Sequence, residues 1–512
     1  MINDLWSNLG LGLVEALSLT NLFYCFLGVF LGTLLGVIPG VGVLVSISLL
    51  YPITFHIDPT ASLIMLAGIY YGTTYGGSTS SILLNLPGTP ANAVACIDGY
   101  PMAQKGRAGS ALVMSSVACF VGGSVGIVLL SLFGPLIATN AYNFGPKEYF
   151  GLILLGLVAA STISSTTISK GLAMICAGIL FGTVGADSFT GIARMTFGSQ
   201  HLYDGIDIIV LAMGVFGVSE IMASAGGGRA APQIDERINL RALLPSREEV
   251  SRSVMPMIRG AGIGSFLGTL PGGGGTIASF MSYAVERGVT RRPEEFGKGA
   301  IEGLVGPETS NNAADQTAFI PTLALGIPGT ASMAIMLSIL VIHGITPGPR
   351  LMMTEPQLFW GLIMSFWIGN LMLLVLNIPF VGIWVRLLTI PYHYLYPAVL
   401  IFIAVGIYSV DNDTFGIYLV GMFAVIGYFM RAYGYSPAPL LLGFVLGPML
   451  EQNFRRAMLI ARGDLTTFFD GWLSGLIMAI PIALLIWRFV VWALSRRRKQ
   501  MELAAKLDLI DE

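Results

Sequence analysis

Gly36-Val37-Ile38-Pro39-Gly40-Val41-Gly42 interrupts an apolar stretch, and 232 residues later Gly268-Thr269-Leu270-Pro271-Gly272-Gly273-Gly274 interrupts another. A second pair follows, Leu86-Pro87-Gly88-Thr89 and Ile327-Pro328-Gly329-Thr330, 241 residues apart. Glycine permits tight turns, while proline removes a backbone donor and stops a helix. A lipid-facing break would leave N–H and C=O groups unpaired, so breaks persist where they line a protein cavity or a binding site. Paired breaks in two halves of one hydrophobic chain are the pattern of a transporter built from structural repeats.

The rest of the composition agrees. Of 512 residues, 54% are hydrophobic and 11% charged, and the mean hydropathy is +0.76. A soluble domain carries about 25% charged residues. The expected fold is an all-α polytopic protein in a lipid bilayer, with about ten to twelve transmembrane helices. The dense basic run Arg496-Arg497-Arg498-Lys499 directly follows an apolar helix, where it reads as a membrane-side anchor, so no nucleic-acid partner is expected. Cys25, Cys96, Cys119 and Cys176 are scattered and read as small hydrophobes. The N-terminus lacks the basic start of a signal peptide, so no cleavage is expected.

Charge placement orients the chain. No Lys or Arg precedes Lys105, which puts the N-terminus outside; Lys105 and Arg107 mark an inside loop, as does the polar stretch Arg229 to Arg259 with Arg237, Arg241, Arg247 and Arg252. The second half then starts on the opposite side from the first, the signature of an inverted repeat. If the stretches around Gly40 form a hairpin that dips in and returns, Pro52–Pro59 lies outside. The matching loop with Arg287, Arg291, Arg292 and Lys298 then lies inside. The expected organisation is membrane repeat 1 (1–225), a cytoplasmic linker (226–257), membrane repeat 2 (258–494) and a basic cytoplasmic tail (495–512). The C-terminal thirds align through Gly182 with Gly447 and Asp204-Gly205 with Asp470-Gly471, at offsets of 265 and 266. That offset exceeds 241 by 24 residues, about one transmembrane helix.

Polar residues cluster near the breaks: Gly72 to Ser81 and Asn85 to Asn92 in the first half, Gly306 to Asp315 in the second. A break frees N–H groups at the start of the next half-helix, an end that attracts carboxylates. The candidate substrate residues are therefore Pro39, Gly40, Gly42, Asn85, Pro87, Gly88, Thr89, Pro271, Gly272, Gly273, Gly274, Pro328, Gly329 and Thr330. The preceding helix end exposes carbonyls that suit Na⁺. Thr73, Thr74, Ser78, Ser310, Asn311 and Asn312 add neutral oxygens, and Glu308 and Asp315 are the ionisable candidates for coupling.

The motifs Gly36–Gly42, Tyr70–Ser78, Leu86–Pro90, Leu270–Gly274, Gly306-Pro307-Glu308, Asn311-Asn312-Ala313 and Gly326–Thr330 resemble, in order, those of the large membrane subunit of the tripartite tricarboxylate transporters. The resemblance runs across nearly the whole chain and is weakest after Pro379. It implies a multi-pass permease of the bacterial inner membrane. Its partners would be a small four-helix membrane subunit and a periplasmic solute-binding protein. Its substrates would be di- and tricarboxylates such as citrate, taken up with Na⁺ or H⁺. No cofactor is implied.

Other readings compete with these. Glycines in membrane helices serve close packing, and Gly122-Gly123-Ser124-Val125-Gly126, although it fits a nucleophile-elbow pattern, lacks the strand–turn–helix context and reads as helix packing. No Walker A run, metal spacing or acid/base constellation points to an enzyme. His56, His201, His343 and His393 are isolated. Glu220, Asp187, Arg194, Arg386 and Arg431 read as interfacial, and Asp411 and Asp413 as solvated. A channel using backbone carbonyls, or a secondary carrier acting alone, remains open beside alternating access by rocking or by an elevator-like slide.

Overall fold

A computed structural model describes residues 2–38, 41–141, 144–164, 168–187, 189–225, 244–270, 274–380, 382–384, 392–411, 413–487 and 490. The first half runs through α1 (Ile2–Ala16), α2 (Leu19–Val37), α3 (Val43–Leu50), α4 (Pro59–Leu84), α5 (Ala93–Met102), α6 (Ala108–Ala141), α7 (Pro146–Ser164), α8 (Ile168–Gly182), α9 (Ile208–Ala212) and α10 (Ser219–Ala225). The second runs through α11 (Arg247–Gly268), α12 (Gly274–Val289), α13 (Ile301–Thr317), α14 (Phe319–Leu325), α15 (Ala331–Ile342), α16 (Leu351–Thr354), α17 (Pro356–Asn377), α18 (Tyr392–Asp411), α19 (Phe415–Ala432) and α20 (Pro437–Ile460). The two-residue strands Gly185–Ala186 and Ala193–Arg194 pair antiparallel. The architecture is all-α, as expected.

The second pair of breaks has the same local structure in both halves. Asp58 caps α4 by accepting from the N–H groups of Thr60 and Ala61, and α4 ends where Asn85 turns left-handed at φ 56°. Gly326, the residue 241 positions on, ends α14 in the same conformation at φ 71°. Thr89 Oγ1 accepts from the Asn92 N–H at 3.3 Å, and Thr330 Oγ1 accepts from the Met333 N–H at 3.2 Å. Gly88 packs on the Cα of Gly77, and Gly329 packs on Ala318. Each member of these contacts lies 241 residues from its counterpart.

Glycine seams set the helix pairs. Gly28, Gly32 and Gly36 of α2 lie against the carbonyls of Met65, Ile69 and Thr73 of α4, so these helices run parallel. Gly260, Gly264 and Gly268 of α11 lie against Gly306, Ser310 and Ala314 of α13, again parallel. The seams repeat at 232 residues on one helix and 241 on the other. Because α4 starts at the end where α2 starts, α3 and the 3₁₀ turn Tyr51–His56 carry the chain back to that end. Between the two units the direction reverses. Tyr70 bonds Asp315 and Ser78 bonds Glu308, so α4 runs antiparallel to α13.

The polar runs depart from expectation. Gly72–Ser81 lies wholly inside the 26-residue helix α4, and Gly306–Asp315 inside α13. Both helices are buried on nearly every face; Tyr70, Tyr71, Thr74 and Ser78 bond across to α13, while Thr73, Ser80, Ser81 and Asn312 donate to carbonyls of their own helix, which lets each helix continue. Among the described residues the breaks are confined to 38, 41–42, 85–92, 269–270 and 326–330. Helix α11 also begins at Arg247, inside the stretch expected as linker; residues 226–243 and the tail, with Arg229, Arg237, Arg241 and Arg496–Lys499, lie outside the described residues, as does Arg386.

Among the described residues four helices are long and apolar enough to cross a membrane, Leu19–Val37, Ala93–Asn140, Pro356–Asn377 and Phe415–Ala432, and six shorter apolar helices accompany them. Beside the unit built by α2, α4, α11 and α13, a second group of helices forms, in which α20 packs against α7 and α8, and α19 against the α9–α10 segment. Gly178 and Gly182 of α8 meet Leu440 and Phe444 of α20. These helices run parallel, the relation that one extra crossing in the second half would produce. Segments expected on one side of the membrane do meet. Arg107 binds Glu249, Arg252 binds Glu302 at 2.8 Å, Arg292 binds Glu248 at 3.3 Å, and Lys105 Nζ donates to the Lys298 carbonyl at 2.5 Å. Beside them the buried Asp98 carboxylate accepts from the N–H groups of Gly297, Gly299 and Ala300, and from Tyr283, joining α5 to the loop before α13.

Candidate functional site

The breaks converge on a cavity of about 670 Å³ between the two helix groups. Four helix N-termini reach it: α3 at Gly42–Val45, α12 at Gly275–Ile277, α15 at Thr330–Ser332 and α20 at Ser436–Ala438. The N-caps of α3 and α20, Gly42 and Ser436, supply no side-chain cap. Helix N-termini carry partial positive charge and free N–H groups. The loop Pro87–Ala91 closes one side, and Tyr70, Thr74, Asn311 and Asp315 form the wall where α4 crosses α13. Asn311 is 2% exposed and its amide nitrogen has no hydrogen-bond partner.

Two buried carboxylates define the polar centre. Asp315 accepts from Tyr70 Oη at 2.7 Å and from Thr74 Oγ1 at 3.4 Å. Glu308 accepts from Ser78 Oγ at 2.8 Å and from Cys119 Sγ at 3.2 Å. Ser78 in turn accepts from Asn92 Nδ2 at 2.9 Å, which ties Glu308 to the break after α4. Among the described residues, neither carboxylate pairs with a Lys, Arg or His. A carboxylate buried without a counter-charge is costly unless a proton or a cation joins it.

The candidate substrate residues divide. Gly42, Pro87, Gly88, Thr89 and Thr330 line the cavity. Asn85 is the left-handed cap of α4, and Gly274 packs on Gly268 at the start of α12. Pro328 and Gly329 do not line it. The Gly329 N–H, expected to be free, donates to Thr322 Oγ1 at 3.0 Å. Pro39, Gly40, Pro271, Gly272 and Gly273 lie outside the described residues. Of the candidate coupling residues, Thr74, Asn311 and Asp315 face the cavity. Ser78 and Glu308 form the neighbouring cluster, where Asn312 Nδ2 donates to the Glu308 carbonyl at 3.0 Å. Thr73 and Ser310 sit in the glycine seams instead.

The structure adds residues. Arg431 and Glu220, read as interfacial, line the cavity and form an ion pair there. Asp187 and Arg194 form a network with Glu451 and Arg455. Tyr70 lies in the Tyr70–Ser78 run quoted for the family resemblance and was not among the candidate site residues, yet its counterpart at 241 is Asn311, which was. Cys119 is a donor to a carboxylate rather than a plain hydrophobe. Gly122, Gly123 and Gly126 do serve packing, against Thr309, Asn370 and Gln316.

Interrupted helices around a largely apolar cavity that carries a few buried polar side chains, with apolar spans beside it, define a multi-pass membrane protein. Residues 22–442 match the tripartite tricarboxylate transporter TctA family. The chain belongs to that family, the large membrane subunits of tripartite transporters. It is also similar to an uncharacterised 52.8 kDa protein of the TAR-I ttuC′ 3′ region of Agrobacterium vitis, 47% identical over 499 residues, 97% of this chain and 98% of that protein. An uncharacterised protein of the TAR-II ttuC′ 3′ region of the same organism is 51% identical over 223 residues, 44% of this chain and 92% of that protein. No solved structure matches.

Proposed function

We propose that this chain is the permease of a binding-protein-dependent secondary transporter that imports di- and tricarboxylates across a bacterial inner membrane, coupled to Na⁺ or H⁺. The observation that carries the reading is the convergence of four helix N-termini on one cavity whose wall holds a buried carboxylate that pairs with no Lys, Arg or His among the described residues. The N-termini suit the substrate carboxylates. Asp315 and Glu308 suit the coupling cation, whose charge offsets theirs. The antiparallel crossing of α4 and α13, each beside its own glycine-seamed helix, supports two inverted repeats with re-entrant hairpins at 38–42 and 269–273, in repeats 1–225 and 258–494. The cavity lies between two helix groups, which suits alternating access; Asp98 links the two break-bearing units, so they slide together in an elevator-like motion.

Helix termini alone bind a carboxylate modestly, about 0.3–1 kcal/mol per charge and up to about 2 when partly buried. Such a carrier relies on a periplasmic binding protein for capture and on the small four-helix subunit for assembly. The test is uptake of labelled citrate, succinate and malate into proteoliposomes. With both partners present, uptake should need an inward Na⁺ or proton gradient; the chain alone should transport poorly at low solute. Full uptake by the chain alone would make it a stand-alone carrier. Flux without any gradient dependence would make it a channel.

A further inference from the structure

Among the described residues that line the cavity, one carries a fixed positive charge that no helix terminus supplies. Arg431 sits in the last turn of α19, just before the turn Tyr433–Ser436 that leads into α20, and both it and Ser436 line the cavity. Its guanidinium is 32% exposed and bonds through Nη1 to Glu220 of α10. Its Nε is buried with no partner. An arginine presents five donors in a planar fork suited to bidentate binding of a carboxylate. Here Nη1 meets the Glu220 carboxylate, while Nε, which belongs with Nη2 to the side-on face of the guanidinium, makes no hydrogen bond. Ionisable side chains at membrane depth face a cavity and mark a pathway for substrate or ions. Asn311, across the cavity, also has an unused buried donor.

We propose that Arg431 is the carboxylate-binding residue of this cavity and that Glu220 is its resident competitor, displaced when a substrate carboxylate arrives. This rests on the carboxylate-transport reading above. Exchange keeps the guanidinium paired in both states: with Glu220 when the cavity is empty, with substrate when it is filled. Arg431 carries one substrate carboxylate from the α19–α20 side. The N-termini of α3, α12 and α15 receive another from the opposite side. The site therefore favours a ligand with two carboxylates over a monocarboxylate. Release of Glu220 frees α10 from α19, so binding loosens one helix contact of its group as it forms its own.

The test is the thermal shift of the purified permease complex titrated with succinate, malate, citrate and, as monocarboxylate control, acetate. Wild type should be stabilised by at least one di- or tricarboxylate and not by acetate. Arg431→Gln should need about ten- to a hundred-fold more ligand, the cost of losing a hydrogen bond to a charged group. Glu220→Gln should need less ligand than wild type, because the competitor is gone. A purely structural ion pair would lower the ligand-free melting temperature in both variants and leave both titrations unchanged, which overturns the inference but not the proposed function. Weaker binding in Glu220→Gln overturns it as well. If Arg431→Gln fails to fold, Arg431→Lys decides: it keeps the charge without the fork, and unchanged affinity sinks the proposal. No response of wild type to any of the polycarboxylates would remove the carboxylate reading itself.

Discussion

Thr74 Oγ1 lies 3.4 Å from Asp315 Oδ2, and these two residues are 241 positions apart, the spacing that separates the two Pro-Gly breaks. Each is therefore the counterpart of the other. In a two-fold arrangement, a residue that touches its own counterpart lies on the axis. The neighbouring pair Tyr70 and Asn311, also 241 apart, line the same cavity wall. What differs across the axis is chemistry. One side offers a hydroxyl where the other offers a carboxylate, and a phenol where the other offers an amide. The result is a lopsided centre with the carboxylate on one side of the contact only.

Removing that charge should uncouple transport. Asp315→Asn should weaken the apparent affinity for the driving cation by about ten- to a hundred-fold, the cost of a hydrogen bond to a charged group. Substrate affinity should change less. Glu308→Gln should act more weakly on substrate still, since Glu308 lies one shell away, against Ser78 and Cys119. Initial uptake rates against a cation titration check this; equal loss of substrate and cation affinity in Asp315→Asn would place Asp315 with the substrate instead.

Topology can be checked at two exposed loop positions. His56, before α4, should lie outside, and Arg291, after α12, inside. Single cysteines there, His56→Cys and Arg291→Cys, should differ in intact cells: an impermeant maleimide should label position 56 and spare 291. The reverse would turn the charge argument over, and equal labelling would undo the inverted arrangement.

The breaks were legible because Gly and Pro act on the backbone locally, and the 85–92 and 326–330 turns repeat to the individual cap. The polar runs were expected beside the breaks, but they are continuous helix, because their stability is tertiary. Ser78 and Thr74 remain helical inside α4 because Glu308 and Asp315 of α13 accept their hydroxyls. Arg431 was illegible for another reason. An arginine at the end of an apolar helix looks like a membrane-surface anchor; only its place in the cavity lining, beside Ser436, sets it apart. Tyr70 could have been found by carrying the 241 spacing back from Asn311.

The loop after α8 should be held by charge over the whole neutral range. The Phe189 N–H, at 2.9 Å, holds the Asp187 carboxyl well below the usual carboxylate range, and Arg194 and Arg455 add to this against desolvation. A depressed carboxyl contributes stability above its unfolded value, about 3.9, and loses it as pH falls through the folded value. Asp187→Asn should therefore lower the melting temperature by a few degrees at pH 7. The gap to wild type should stay constant down to about pH 5 and narrow below about pH 4. A gap that opens only under acid would contradict the sign.

Two glycines on one helix should respond in opposite directions to the same change. In α11, Gly264 faces the Ser310 carbonyl of α13 so closely that an added Cβ would overlap it, while Gly262, two residues away, has nothing within 4 Å of such a Cβ. Both are helical, so alanine removes backbone freedom from the unfolded chain equally at both. At Gly262 that is the whole effect, and Gly262→Ala should stabilise by about 0.4–1 kcal/mol. At Gly264 the same gain is overridden. The neighbour is backbone, not a flexible side-chain tip, so the α11–α13 seam must open, at about 1–3 kcal/mol or more. Because α13 carries Glu308, Asn311 and Asp315, an opened seam also displaces the polar centre. Gly264→Ala should therefore lose uptake along with stability, and Gly32→Ala, facing Ile69 in the matching seam of α2 and α4, should do the same. Melting curves and uptake for the three variants decide the matter: a harmless Gly264→Ala would mean that α11 and α13 are not in the close contact that builds the site.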